Sequence, residues 1–198
     1  MRNSLLFVVI LSLFAFTALG ASFWASYALA GESYSLFDGE TLDGWQVLTC
    51  EAEVVDGCIF IKEGNGVLAT EKQYGDFELE LEWKALAEDN WDSGVYLRCP
   101  LPAEGRPWPE KYQVNIKKGE DGALPGVPST ITSGLCKDRE WNHFKITAKG
   151  NVLSLEINGE HAWTYEQIEV PEGYICLQAE VPSGGQFLYK NIFIQVLE

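Results

Sequence analysis

The chain has 198 residues, 46% of them hydrophobic and 13% aromatic, with a formal net charge of −15 at pH 7. That length and apolar share fit one domain with a substantial core. The acidity argues against nucleic acid or an anionic membrane surface as a partner and leaves neutral or cationic ligands as the better fit.

No charged residue stands between Arg2 and Glu32, and the apolar run beginning at Leu5 ends in Ala28-Leu29-Ala30 before Gly31. One positive charge, an apolar stretch and a small-x-small ending read as an export signal over residues 1–30, cleaved after Ala30. An uncleaved N-terminal anchor is the alternative, since roughly 20 apolar residues are enough to span a bilayer. Residues 31–198 are expected to form one domain.

From there the pattern is strand after strand. "EAEVVDGCIFI" reads as a hairpin turning at Asp56-Gly57. "DFELELEW" alternates, placing Phe77, Leu79, Leu81 and Trp83 inward and Glu78, Glu80 and Glu82 outward. In "NWDSGVYLRCP", Asp92-Ser93-Gly94 opens a strand at the rim of a face, with Val95 and Leu97 inward and Tyr96 and Arg98 outward. "YQVNI" turns Val114 and Ile116 inward and Gln113 and Asn115 outward. "HFKITAKGNVLSLEING", "YICLQAE" and "FLYKNIFIQVL" continue the alternation, with turns at Lys149-Gly150-Asn151 and Asn158-Gly159. A Gly- and Pro-rich stretch near 105–130 lacks the period, and no segment carries a helical one over ten residues. The expected fold is all-β: a two-sheet antiparallel sandwich of the jelly-roll kind.

If the strands carrying "DFELELEW", "SGVYLR" and "YQVNI" are neighbours, their outer faces pool Glu80, Glu82, Tyr96, Arg98, Gln113 and Asn115. Carboxylate, guanidinium, phenol and amides are the groups that bind sugar hydroxyls. The plain alternative is a solvated face with an ordinary Glu–Arg cross-strand pair. Trp91 and Trp108 lie in loops, where an exposed ring offers a platform for a sugar's C–H face; loop anchoring competes, above all for Trp108 between Pro107 and Pro109. Trp45 reads as core. The five cysteines form no CxxC pair and there are two histidines, which argues against a zinc site. In an exported chain a Cys99–Cys136 disulfide is favoured, with Cys50–Cys58 second, and the odd count leaves one thiol over. No cofactor is identified. Acidic residues are abundant enough to support calcium, but no loop has a recognisable ligand spacing.

The blocks "SLFDGETLDGW", "YGDFELELEWK", "DSGVYLR", "KYQVNI", "EWNHFKITAKGNVLSLEING" and "GYICLQAE...FLYKNIFIQVL" together resemble the 3-keto-disaccharide hydrolase domain family, from about Ser35 to Leu197. The resemblance implies a concanavalin-like or laminin-G-like jelly roll in an exported or periplasmic carbohydrate-active protein. Some members cleave glycosides already oxidised at carbon-3. The chain departs from the family at Asp92, usually Asn, and at Gln113, usually Glu. An amide at 113 favours the other reading of the same fold, a non-catalytic carbohydrate-binding or adhesion module; a purely structural jelly roll is the third.

The implied chemistry needs a base for the acidified hydrogen on carbon-2, a donor or cation facing the enolate oxygen, and an acid for the leaving group. Carried onto this sequence, Glu82 is the expected base and Arg98 the oxyanion partner. Tyr96 or His143 is the expected acid. Glu80, Asp92, Ser93, Gln113, Asn115, Trp91 and Trp108 are expected to bind the sugar. Each also has a structural reading: Glu82 as an anchor for Arg98, Tyr96 as packing, and His143 as a surface residue.

Overall fold

The computed structural model of the protein describes residues 31–198, so the expected export segment lies outside the described residues. The three short turn signals each close a two-residue hairpin. Asp56 and Gly57, with φ of 49° and 75°, join β2 (Trp45–Val55) to β3 (Cys58–Thr70). Gly150, with φ of 57°, opens the turn between β7 (Asn142–Lys149) and β8 (Val152–Ile157). Asn158 and Gly159, with φ of 53° and 83°, join β8 to β9 (Glu160–Tyr165). Positive φ at these positions matches the right-handed twist of the paired strands, which is why Asn, Asp and Gly occupy them.

The other strands are β1 (Ser33–Ser35), β4 (Phe77–Ala85), β5 (Asp92–Cys99), β6 (Gln113–Lys117), β10 (Tyr174–Val181) and β11 (Phe187–Val196). Pairing is antiparallel throughout, in the order β6-β5-β10-β3-β11-β4-β7-β8-β9, with β2 added to β3 and β1 to β11. The long β3 bridges two layers, because it pairs with β10 through one end and with β11 through the other. The β6-β5-β10 arm and the β11-β4-β7-β8-β9 arm fold over a shared core, the expected jelly-roll sandwich.

The inward residues of "DFELELEW" are fully buried, and they share that core with Val95, Leu97, Val114, Ile116, Phe144, Ile146, Leu155 and Leu177. Each such side chain withdrawn from water contributes roughly 1.5–3 kcal/mol. Trp45 is core as expected, its indole N–H donating to the Leu36 carbonyl at 2.7 Å. Trp91, expected in an exposed loop, is only 1% exposed and packs 5.7 Å from the Trp83 ring and 6.4 Å from Phe187. It precedes β5 on the core side, so it offers a ligand no platform.

All five cysteines are unbridged. The expected Cys99–Cys136 pairing does not form: Cys99 lies 3.4 Å from the sulfur of Cys176, while Cys136 packs against the main core from the loop after β6. Nor do Cys50 and Cys58 meet, since Cys50 stands opposite Gly64 and Cys58 opposite Val55.

That loop also holds Asp121, whose Oδ1 is buried without a hydrogen-bond partner. Burial pushes its carboxyl up from 3.8 to about 6, helped by the nearby Asp138 charge. The folded state therefore holds this proton more tightly than the unfolded chain, and the stability it gives is lost as pH rises through about 6. Asp121→Asn should stabilise the fold at pH 7 by about 1–2 kcal/mol, a figure discounted for the solvent that reaches part of the group. The gain should vanish below the ordinary carboxylate range, as urea unfolding at both pH values will show.

Candidate active site on the face of strands β6, β5 and β10

The residues expected to pool on one face divide between two faces. β4 pairs with β7 and β11 and never with β5, so Glu80, Glu82 and His143 lie far from Tyr96 in the strand order. On the outer face of β4, Glu78 meets Lys145 at 2.9 Å and Glu82 meets Lys190 at 3.3 Å, while Glu80 lies 3.1 Å from the His143 imidazole. Glu82 also accepts from the Asn191 amide at 2.8 Å. Burial raises its carboxyl pKa, but the Asn191 and Lys190 hydrogen bonds and the Lys190 charge outweigh this and hold it below the usual range. Such a carboxylate is a weaker base than an ordinary one, and this face has the character of a solvated charge ladder.

Arg98 does not turn outward beside Tyr96. Its φ of 47° breaks the alternation of β5, and the side chain is 1% exposed. Nε donates to the Gly75 carbonyl at 2.7 Å, Nη1 to the carbonyls of Gly150 at 2.6 Å and Val170 at 3.3 Å, and Nη2 to Asp76 Oδ1 at 2.7 Å. These four hydrogen bonds staple three chain segments at one end of the sandwich. Ser93 points inward too, its hydroxyl 2.7 Å from both the Gln178 carbonyl and the Tyr189 phenol.

The rest of the expected set does come together. Asp92, Gly94 and Tyr96 share the outer face of β5, with Lys117, Asn115 and Gln113 opposite them in turn on β6. On the other side, β10 presents Gln178 and Glu180. The Gln113 amide donates to Gln178 Oε1 at 2.5 Å, and Gln178 donates to Glu180 Oε2 at 3.0 Å. Gly94 makes this possible, because a Cβ there would overlap the Gln113 side chain. Tyr96 is 4% exposed and forms the floor with Val67, Ala69, Cys99 and Cys176. Burial pushes its phenol well above the usual value, so it stays a proton donor. Trp108 lies over this floor, its indole N–H donating to the Ala179 carbonyl at 2.9 Å; it anchors the loop before β6 while remaining half-buried.

Two carboxylates stand on this face. Burial raises Asp92, an effect partly offset by Lys117 at 3.4 Å. Burial raises Glu180 as well, and the Asp92 charge raises it further. A cleft of ≈ 300 Å³ opens beside Gln113, lined by Tyr112, Leu124, Tyr165, Gln167 and Glu169. At the opposite end a hollow of ≈ 470 Å³ is lined by Asp89, Asp92, Lys117 and Lys118. Among the described residues no group of three or more His, Cys, Asp or Glu is placed to hold a metal ion.

Compared with known families, residues 32–195 match the 3-keto-alpha-glucoside-1,2-lyase-like domain. The chain belongs to that family. A comparison with curated protein sequences gave no match. Among solved structures, this lyase-like domain is similar to a candidate glycosyl hydrolase from Parabacteroides distasonis ATCC 8503, with a TM-score of 0.71 at 20% identity over 84% of this chain and 100% of that one. The carbohydrate-binding module CBM66 from Bacillus subtilis gives 0.59 at 13% identity, over 77% and 95% of the two chains. The Bacillus licheniformis β-glucanase gives 0.54 at 12% identity, over 87% and 100%. At these identities the likeness is one of fold. Sequence reasoning missed three members of the lyase-like domain's polar face: Lys117, Gln178 and Glu180. The alternation of "YICLQAE" places the last two on one side of a strand; nothing local says which strand lies next to it.

Proposed function

We propose that the protein is an exported, carbohydrate-active enzyme that cleaves the glycosidic bond of 3-keto-glycosides on the β6-β5-β10 face. The supporting observation is the placing of Asp92 and Glu180 on that face with both carboxyls raised by burial, beside Lys117 and on the same face as the protonated Tyr96, which lies further along β5. A ketone at carbon-3 acidifies the hydrogen at carbon-2. In this reading Glu180 removes that proton, its affinity tuned toward neutrality as a general base requires. Lys117 faces the developing enolate oxygen. The enolate expels the group on carbon-1, which takes a proton from Tyr96, and addition of water to the resulting enone completes a net hydrolysis. Gln113, Asn115 and Gln178 take sugar hydroxyls. This route needs no carboxylate pair set for direct displacement.

A non-catalytic carbohydrate-binding module is the second reading, favoured by the amide at Gln113. Incubation of the full chain with 3-keto-glucosides, with and without a chelator, separates the two. Cleavage with loss of a deuterium label from carbon-2 is the expected result. Saturable sugar binding without cleavage supports the module, and neither cleavage nor binding defeats both.

A further inference from the structure

We propose that Cys99 and Cys176 are joined as a disulfide when the chain folds in an oxidising compartment, cross-linking β5 to β10 on the same side of the sheet as Asp92 and Glu180, at the other end of the strand pair. The compartment follows from the export reading; the pairing rests on geometry alone.

Simple alternation would send Cys99 inward with Val95 and Leu97, away from Cys176. The left-handed turn at Arg98 reverses this, so Cys99 joins Tyr96 and Cys176 on the outer side of the sheet. In the pairing of β5 with β10, Cys99 stands opposite Tyr174 and Cys176 opposite Tyr96, with an irregularity between them. The sulfurs are 3.4 Å apart, both residues are 0% exposed, and neither thiol has a charged partner. A disulfide needs about 2.05 Å between sulfurs, so small side-chain rotations close the gap. No comparable contact involves Cys50, Cys58 or Cys136.

With glutathione disulfide as oxidant the step balances. One cysteine thiolate attacks the glutathione disulfide and releases one glutathione thiolate. The second cysteine thiolate then attacks the mixed disulfide and releases the other. Two thiol protons pass to solvent, the cysteines lose two electrons and glutathione gains them. The Cys99 contact and burial both push the Cys176 thiol up in the folded state, so exchange takes place while the strand pair is still open.

The test is to refold the full chain in a reduced/oxidised glutathione buffer, trap free thiols by alkylation and map the peptides. The expected product links the Cys99 and Cys176 peptides and leaves Cys50, Cys58 and Cys136 alkylated. Its urea midpoint falls on adding dithiothreitol, and this response is absent in Cys176→Ala. Alkylation of both Cys99 and Cys176, or their linkage to other cysteines, overturns the proposal. Mapping of the unsubstituted chain decides the matter even if Cys176→Ala fails to fold.

Discussion

Glu180→Gln should lower turnover of a 3-keto-glucoside by about 10²-fold or more, the usual loss when a general base is removed, while Asp92→Asn lowers it less and Glu82→Gln leaves it unchanged. The base must be ionised to act, so activity of the unsubstituted protein should rise with pH through the raised value of Glu180. Asp92→Asn removes a neighbouring negative charge and should move that limb to lower pH, a shift that a merely structural Asp92 would not produce. The stability effect has the opposite sense. Both carboxyls are raised on folding, so the stability tied to their protons is present at low pH and lost as pH rises through their folded values. At neutral pH the two variants should be at least as stable as the parent. Steady-state kinetics beside thermal unfolding checks this. A loss of activity that merely tracks a loss of stability would remove both residues from the mechanism.

Arg98→Ala should destabilise the fold by about 3–5 kcal/mol, the scale of breaking a buried ion pair that also satisfies backbone groups. Removal leaves Asp76 without its cation and takes the donor from the carbonyls of Gly75, Gly150 and Val170. Such a loss is a large share of the 5–15 kcal/mol that usually separates folded from unfolded chains. Arg98→Lys keeps the charge but not the planar fork, and should restore only part of it. Urea unfolding measures both. A loss near zero for Arg98→Ala would mean that solvent replaces these contacts and that the residue is not a staple.

The inner half of this fold was legible because it is local. Phe77, Leu79, Leu81 and Trp83 alternate with three glutamates, and a period of two decides which set is buried wherever the strand lies. The hairpin turns were legible for the same reason, as Asp56-Gly57 and Asn158-Gly159 carry their geometry in their own dihedral preferences. The site was legible only in part. Asp92, Tyr96, Gln113 and Asn115 were found because β5 and β6 are neighbours in sequence as well as in space. Glu82 was placed beside them on the assumption that β4 is adjacent, whereas β5 instead pairs with β10, far along the chain. That long-range choice also supplies Gln178 and Glu180. Arg98 misled for a different reason: its left-handed backbone, a strained state for a residue with a side chain, is imposed by partners at Gly75, Asp76, Gly150 and Val170 that no window of sequence contains.

The position of β11 bears on when the sandwich can form at all. This strand pairs with β1, β3 and β4, so residues 187–196 join the two arms of the sheet and hold its first strand in place. During synthesis β7, β8 and β9 can pair as successive hairpins and β4 can add to β7 across the intervening β5 and β6, and β2 can pair with β3, but neither group has the neighbour that unites them until β11 has been made. The last strand to be made is thus the one that three others share, and losing residues 187–196 would unseat the pairings of β1, β3 and β4 together.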